Sequence, residues 1–326
     1  MFKNKTFEIN KVIEMIGESA RKLDGKSLLW TGTNGFLGIW VLLVIRYLNL
    51  YVLKTPCKLF AYDIKIPPKS LQDEFSNSGI YFRSHDLTTK LLPMSEKIDY
   101  VVHMAGIASP YHYKQRPLDT IDVTLEGIRS GLDIARNFNA KFLFTSSSEV
   151  YQTASIVPTP ESYVGSIPSN NERSCYDVSK LMGENLTYVY GKHFNLQTNI
   201  VRIFNSFGPG INEKDSRILP KIASSIVGDF PLFIYKNNEL PTRTYCPTGN
   251  TIAGIFLTLL NGKKNEIYNI GIDSPEVTVE QLIQIIEKSY NIKVKYEFVL
   301  PTSVYLEEPK RRCPDISKAK SEIGYN

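Results

Sequence analysis

Apolar residues near the start of the chain recur at helical spacing. Ile9, Val12, Ile13 and Ile16 fall on one face with charged residues between them, which predicts an amphipathic helix over 8–23. From Ser27 onward the pattern changes to short apolar runs at 28–30, 58–62, 100–104, 141–145 and 198–204, separated by longer stretches of helical spacing. This alternation predicts an α/β fold, a Rossmann-type doubly wound parallel sheet with helices on both faces. After Gly208-Pro209-Gly210 the regularity weakens, and Pro220, Pro231, Pro241, Pro247, Pro275, Pro301, Pro309 and Pro314 punctuate the chain. Three parts are therefore expected: a helical extension over 1–25, a main Rossmann-type domain over 26–207, and a smaller α/β lobe over 208–326, some of whose segments can return to the main sheet. Within the lobe, Val279, Leu282, Ile283, Ile285 and Ile286 predict an amphipathic helix over 279–290, after a Ser274-Pro275 turn.

Composition narrows the class. A chain of 326 residues with 42% hydrophobic and 22% charged residues can bury a full core, which excludes disorder as its dominant state. The net charge of +5 is spread without long basic runs, so no nucleic-acid partner is expected, whereas an anionic small molecule fits. Cys57, Cys175, Cys246 and Cys313 lie far apart, so neither a metal site nor a redox pair is expected, and a reducing cytoplasm is the simplest location. The first residues run into Glu8, Lys11 and Glu14 with no apolar stretch, unlike a secretory signal. Residues 36–53 are apolar enough to suggest a membrane span, yet Arg46 sits in their middle, and an arginine at a helix centre costs about 3 kcal/mol on insertion. A buried helix, with no membrane contact, is the expectation.

Two local patterns carry chemistry. Thr31-Gly32-Thr33-Asn34-Gly35-Phe36-Leu37-Gly38 follows a short strand and opens a helix, the context of a dinucleotide-binding turn. Gly32 would permit the tight turn, Gly35 the approach of a pyrophosphate to the backbone, and Gly38 close packing of helix on strand, with the helix N-terminus facing the phosphates. The next strand ends at Asp63, a carboxylate placed to accept both hydroxyls of an adenine-side ribose, which favours NAD over NADP although Lys65 is close by. Further on, Tyr176 and Lys180 stand four apart on an expected helix and so share a face. They follow the strand end Thr145-Ser146-Ser147-Ser148-Glu149, in which Ser147 can hold a substrate oxygen while a Tyr176 phenolate, favoured by the Lys180 ammonium and by a bound nicotinamide, takes its proton. Singly, each pattern has a plain structural reading: a strand-to-helix turn, a capping Asp, a surface Tyr/Lys pair.

Together with Asp86-Leu87 and His103-Met104-Ala105-Gly106, these motifs resemble the extended short-chain dehydrogenases, the NAD-dependent epimerase/dehydratase family, over about residues 28–324. The resemblance implies an NAD-dependent enzyme that begins by oxidising a nucleotide sugar at C4. It makes Gly32, Asn34, Gly35, Phe36, Leu37, Gly38, Asp63, Asp86, Leu87, Met104, Ala105, Gly106, Tyr176 and Lys180 the cofactor-binding residues. Ala108-Ser109-Pro110, His112-Tyr113-Lys114, Pro117, Arg173-Ser174-Cys175-Tyr176-Asp177, Phe204 to Pro209 and Arg311 to Ile316 are most similar to the UDP-glucuronate decarboxylase branch. That branch implies Tyr176 as base, Lys180 as its partner, Ser147 in place of a catalytic Thr, and Glu149 and Arg312 near the sugar carboxylate. Ser148, Asn205, Arg217, Tyr235, Arg243 and Arg312 would bind substrate, since guanidinium groups pair with carboxylates and phosphates.

The chain departs from that branch at Val164 and Pro168, where the branch has Trp and Asn, at Asn250, where an Asp is usual, and in ending without the usual final helix. Nucleotide-sugar 4,6-dehydratase and 4-epimerase chemistry stay open, as does a non-catalytic NAD-binding sensor or scaffold. Against them stand Ser148, where dehydratases have an Asp, Glu149, which simple epimerases lack, and the retained Tyr176 and Lys180, which binding alone does not need. A homodimer through helices is implied by the family, although a face such as 118–135 could equally be packed inside one chain.

Overall fold

The computed structural model describes residues 6–326 apart from 92–93, 213–214, 237–239 and 301–308, so Met1 to Lys5 and Pro301 lie outside the described residues. In the first half, α1 (Thr6–Ile16) runs into a 3₁₀ turn, Gly17–Leu23, and then β1 (Ser27–Thr31), α2 (Phe36–Tyr51), β2 (Lys58–Asp63), α3 (Lys69–Glu74) and β3 (Ile80–Ser84) follow. Next come β4 (Tyr100–His103), α4 (Pro110–Gln115), α5 (Pro117–Phe138), β5 (Lys141–Ser147), α6 (Ser174–His193) and β6 (Thr198–Ile203). The second half holds β7 (Ser206–Phe207), α7 (Ile218–Gly228), β8 (Leu232–Tyr235), β9 (Thr242–Arg243), β10 (Cys246–Pro247), α8 (Thr248–Asn261) and β11 (Glu266–Ile270). It ends with β12 (Val277–Thr278), α9 (Val279–Tyr290), β13 (Tyr296–Val299), β14 (Arg311–Arg312) and α10 (Ser317–Ile323).

Seven strands form one parallel sheet in the order β11-β6-β5-β4-β1-β2-β3. The chain starts at β1, moves outward to β3, then returns to the other side of β1 with β4 and moves the opposite way. The order thus reverses between β1 and β4, and in open sheets of this kind a crevice opens at the carboxyl ends of the strands at that point. The strands of the interior are continuous apolar runs because both of their faces are covered, as Leu28, Leu29 and Trp30 in β1 and Phe142, Leu143 and Phe144 in β5 show, all fully buried. β3 is the strand that the apolar runs did not reveal. It is an edge strand whose residues stay half-buried or exposed, so it needs no such run.

α2 accounts for the apolar stretch at 36–53. Trp40 to Ile45 and Leu48 are buried in the main core, while Arg46 lies at the helix margin and donates from Nε to Glu74 O at 3.1 Å. Among the described residues no helix is long and apolar enough to cross a membrane. α1 is joined to the same core through Ile9, Val12 and Ile16, packed on α2 and α8.

The C-terminal stretch is divided. α8, almost wholly buried, and β11, which pairs with β6 from Glu266 opposite Asn199, belong to the main body. The remainder forms a small lobe: β8 pairs with β13, β9 lies between β12 and β14, and α7 and α9 cover a core of Ile222, Leu232, Ile234, Val277, Leu282, Ile283 and Val294. α9 spans the predicted 279–290 and opens on a capping box between Thr278 and Gln281. A final helix, which the sequence seemed to lack, is present as α10. Its Ala319 and Ile323, four apart, are buried against α8 and β11, and a single turn of contact suffices for so short an element.

One buried ion pair fixes the helix that carries Tyr176 and Lys180. Glu184 of α6 receives Arg202 of β6 through two hydrogen bonds of 2.9 and 2.6 Å, and Ser146 Oγ of β5 at 2.6 Å. Removing one member of such a pair strands a buried charge and costs about 3–5 kcal/mol. The helix is therefore locked in height and rotation against the two strands whose ends form the crevice.

Candidate active site

The crevice above the switch point is a cleft of about 890 Å³ between the sheet and the small lobe. Every residue given a catalytic, cofactor-binding or substrate-binding role from the sequence lines it. Gly32, Asn34, Gly35, Phe36, Leu37, Gly38, Asp63, Asp86, Leu87, Met104, Ala105 and Gly106 form one end. Ser147, Ser148, Glu149, Tyr176 and Lys180 form the floor, and Asn205, Arg217, Tyr235, Arg243 and Arg312 form the other end and the lobe side.

At the first end the glycines have separate reasons. Gly32 has φ +79°, and a Cβ there would stand 2.7 Å from the backbone nitrogen of Ala105; at Gly38 it would stand 2.2 Å from Gly32 O. Both are dictated by the protein's own packing. Gly35 is different: it is exposed, and a Cβ there meets nothing closer than 3.4 Å, so a side chain would project into the cleft itself. Gly35 also precedes α2, whose N-terminus has no side-chain cap. Uncapped backbone N–H groups beside a bare glycine suit a pyrophosphate. Asp63, at the end of β2, accepts from the Asn34 N–H at 2.9 Å, and burial pushes its carboxyl above the usual range. Asp86 caps its own turn, accepting from Thr88 N at 3.0 Å and Thr88 Oγ1 at 2.9 Å. These residues fit a dinucleotide. His103, by contrast, is a core residue: fully buried and bonded to Thr31 Oγ1 at 3.0 Å, it is held neutral by burial, which pushes it down to about 3.

On the floor Tyr176 and Lys180 are both buried and face the cleft from α6. Ser147 lines the floor beside Tyr176, and the Tyr176 ring stacks on Tyr113 with centroids 5.4 Å apart and planes 11° from parallel. Lys180 Nζ donates to Thr145 O at 2.9 Å and lies 5.7 Å from the centre of the Tyr176 ring. The sequence led us to expect a phenol acidified by this ammonium. The protein's own groups do otherwise: burial pushes Tyr176 up to about 12, aided by the Glu149 and Asp177 carboxylates and opposed by the Ser147 hydroxyl and by Arg217. Lys180 is itself pushed down to about 8 by burial, which Glu184 opposes. Its amine donates to a carbonyl, and no hydrogen bond joins it to the phenol among the described residues.

The other end is dominated by arginines. Arg312 of β14 makes a two-pronged pair with Glu149, through Nη1 to Oε1 and through Nη2 to Oε2 at 2.9 Å. Arg173 donates from Nη2 to the same Oε2 at 2.7 Å. Burial alone would raise the Glu149 carboxyl, but the two guanidiniums, with Arg243 beyond them, hold it well below the usual range. Arg217 is gripped by Asp215 through two bonds of 2.9 and 2.7 Å, Arg243 donates to Thr242 O at 2.8 Å, and Asn205 donates to Thr244 O at 2.9 Å. Sequence reasoning gave no role to Arg173 or to Tyr113. Both stood inside quoted motifs, but their partners, Glu149 and Tyr176, are set by tertiary contact. Among the described residues no cluster of His, Cys, Asp or Glu could hold a metal, and the four cysteines are unpaired.

The family model for the NAD dependent epimerase/dehydratase family matches residues 29–271, the glycine turn through β11. The chain belongs to this family. UDP-glucuronic acid decarboxylase 3 of Arabidopsis thaliana is 33% identical over 241 residues, 74% of this chain and 68% of that relative. Among solved structures, UDP-glucuronic acid 4-epimerase from Bacillus cereus, in complex with UDP-glucuronic acid and NAD, superposes with a TM-score of 0.75 at 24% identity, covering 92% of this chain and 93% of that one. DesIV, a dTDP-glucose 4,6-dehydratase from Streptomyces venezuelae, reaches a TM-score of 0.77 at 22% identity, covering 92% and 91%. At these identities the structural likeness establishes the fold, and the fold is the one the sequence predicted.

The depressed Lys180 has a consequence for stability. Below about pH 8 the lysine is charged in folded and unfolded chains alike; between about 8 and its ordinary 10.5 only the unfolded chain holds the proton. The unfolded state then binds more protons, so stability rises with pH across that window. Urea unfolding of the protein and of Lys180→Met from pH 7 to 10 is expected to show the wild type gaining on the variant above pH 8. A constant difference would contradict a buried, depressed Lys180.

Proposed function

We propose that this protein is an NAD-dependent nucleotide-sugar enzyme that oxidises its substrate at the sugar C4 and decarboxylates it at C6, with UDP-glucuronate as the substrate. The observation that carries the reading is that Ser147, Tyr176 and Arg312 line one cleft: a hydroxyl and a phenol on its floor, with a buried guanidinium already paired with a carboxylate. A site that holds Glu149 in this way offers a place for a sugar carboxylate next to a proton acceptor. The relative from Arabidopsis supports the same chemistry.

Asp63, Asn34 and the backbone of the glycine turn would hold the two halves of NAD, with Met104, Ala105 and Gly106 alongside. NAD, when bound, supplies oxidation and later reduction of the sugar carbon, and a positive ring that favours the phenolate. The chain supplies the rest. Tyr176 accepts the C4 hydroxyl proton, and Ser147 holds the same oxygen. The resulting ketone lies β to the C6 carboxylate, so the C5–C6 bond can break with its electron pair delocalised onto the C4 oxygen, where Tyr176 and Ser147 stabilise the charge. Arg312 orients the carboxylate until carbon dioxide leaves. Arg217 and Arg243, with Asn205, Ser148 and Tyr235, would bind the nucleotide diphosphate and sugar from the lobe, which makes 208–326 mainly substrate-binding despite the return of α8 and β11 to the sheet. Glu149 bound by two arginines is a poor general base, which disfavours dehydration, where a free Glu must take the C5 proton.

A second proposal concerns assembly. Val178, Leu181, Met182, Tyr188 and Val189 form an exposed apolar stripe along α6, with exposed Leu118 on the neighbouring α5. Such a stripe supports a homodimer through these helices.

Two measurements check these readings. Incubation with UDP-glucuronate and NAD is expected to release carbon dioxide, detected as the mass loss of the nucleotide sugar; loss of water or no change in mass would reject decarboxylation. Light scattering is expected to give the mass of two chains, and a monomer would remove the assembly.

A further inference from the structure

Gln152, the residue after the 3₁₀ turn Ser148–Tyr151, has φ +50° and ψ −134°. This is the conformation of the first central residue of a type II′ turn, where glycine is the comfortable choice. A glutamine persists in such a conformation only where its contacts over-determine it, and such positions cluster at functional sites. Its side chain shows the compensation. Nε2 donates to Asp177 Oδ2 at 2.6 Å and to Glu149 O at 3.1 Å, while its backbone N–H donates to Glu149 O at 3.0 Å.

Asp177 needs that amide. The carboxyl is 2% exposed, and its Oδ1 has no hydrogen-bond partner among the described residues. Beyond Gln152, Oδ2 meets Arg173 Nε only at 3.9 Å. Arg173 thus stands between two carboxylates, Asp177 behind it and Glu149 in front, and it shares Glu149 with Arg312. Without the Gln152 amide, Arg173, 3.9 Å away, is the nearest cation that the buried carboxyl can draw closer. Glu149 would then fall to Arg312 alone, and its grip there would compete more strongly with any anion arriving from the cleft.

We propose that Gln152 is a positioning residue that, through Asp177, keeps Arg173 on Glu149 alongside Arg312, so that Glu149 is shared between two guanidiniums and Arg312 more readily exchanges it for the carboxylate of the substrate. The strained backbone at 152 is the cost of placing an amide where glycine would sit more easily. The inference rests on the reading that Arg312 meets a sugar carboxylate, and it adds a determinant of selectivity for acidic over neutral sugars that touches neither substrate nor cofactor.

The test compares calorimetric binding of UDP-glucuronate and of UDP-glucose, which lacks the carboxylate, to the NAD-loaded wild type, Gln152→Gly and Gln152→Asn. Glycine relieves the backbone and has no amide; asparagine tolerates positive φ but is one methylene short of Asp177. Both variants are expected to lose about five- to tenfold in affinity for UDP-glucuronate, the net scale of one ordinary hydrogen bond, while UDP-glucose binding stays within about twofold. If one variant fails to fold, the other carries the comparison. Equal losses for both ligands, or unchanged preference for UDP-glucuronate, would overturn the role of Gln152. A wild type that shows no preference for UDP-glucuronate would instead defeat the carboxylate-binding reading of Arg312 and take this inference with it.

Discussion

The ion pair between Glu149 and Arg312 joins the end of β5 to a strand 163 residues further along the chain, and the cleft takes its form from that tie. A buried carboxylate and guanidinium each lose their hydration, so the pair holds together only if its remaining donors and acceptors are also satisfied. Here Arg173 supplies the additional donor to Glu149. Because β14 pairs with β9, which also pairs with β12, the same contact fastens the small lobe over the floor that carries Ser147 and Tyr176. Lobe and sheet meet at the one place where chemistry is proposed, and the guanidinium that closes the lobe is the one offered to the substrate.

The polar machinery lies in an apolar frame, and burial sets its protonation more strongly than any single neighbour. Tyr176 is driven up and Lys180 down by the same loss of water. The protein alone therefore pushes both groups toward their neutral forms, which keeps the phenol protonated and leaves the amine charged only below about pH 8. A positive group placed in the cleft would reverse the first effect, and this makes proton removal contingent on a loaded site. Glu149 shows the opposite balance: two guanidiniums outweigh its burial and keep it ionised.

Most of the sheet was legible in the sequence because strands covered on both faces need unbroken apolar runs, and the glycine turn because Gly32 and Gly38 answer local packing. β3 escaped because an edge strand has no such requirement. The return of α8 to the main body has a signal that the proline-rich surroundings masked: Ile252 to Leu260 is apolar almost without interruption, which suits a helix buried all round and not a lobe surface. The floor of the site could be read from Tyr176 and Lys180, four apart on one helix. The arginine network could not be derived from pattern, since Arg173 and Glu149 are brought together by the fold and Arg312 comes from far along the chain. Glu149 and Arg312 were known only through likeness to a family, Arg173 stood in a quoted motif without a role, and Gln152 was not known at all, since no pattern marks a glutamine that occupies a glycine's conformation.

The central claim is that the Tyr176 phenol, beside Ser147 on the cleft floor, starts the reaction by taking a proton from the sugar as the C4 carbon is oxidised. Rapid mixing of the NAD-loaded protein with UDP-glucuronate, followed by the near-ultraviolet absorbance of reduced nicotinamide, tests it most directly. The account expects a transient rise in the wild type and none in Tyr176→Phe, with substrate binding retained in both. A transient of equal size in the phenylalanine variant would show that the sugar is oxidised without this phenol and would contradict the account.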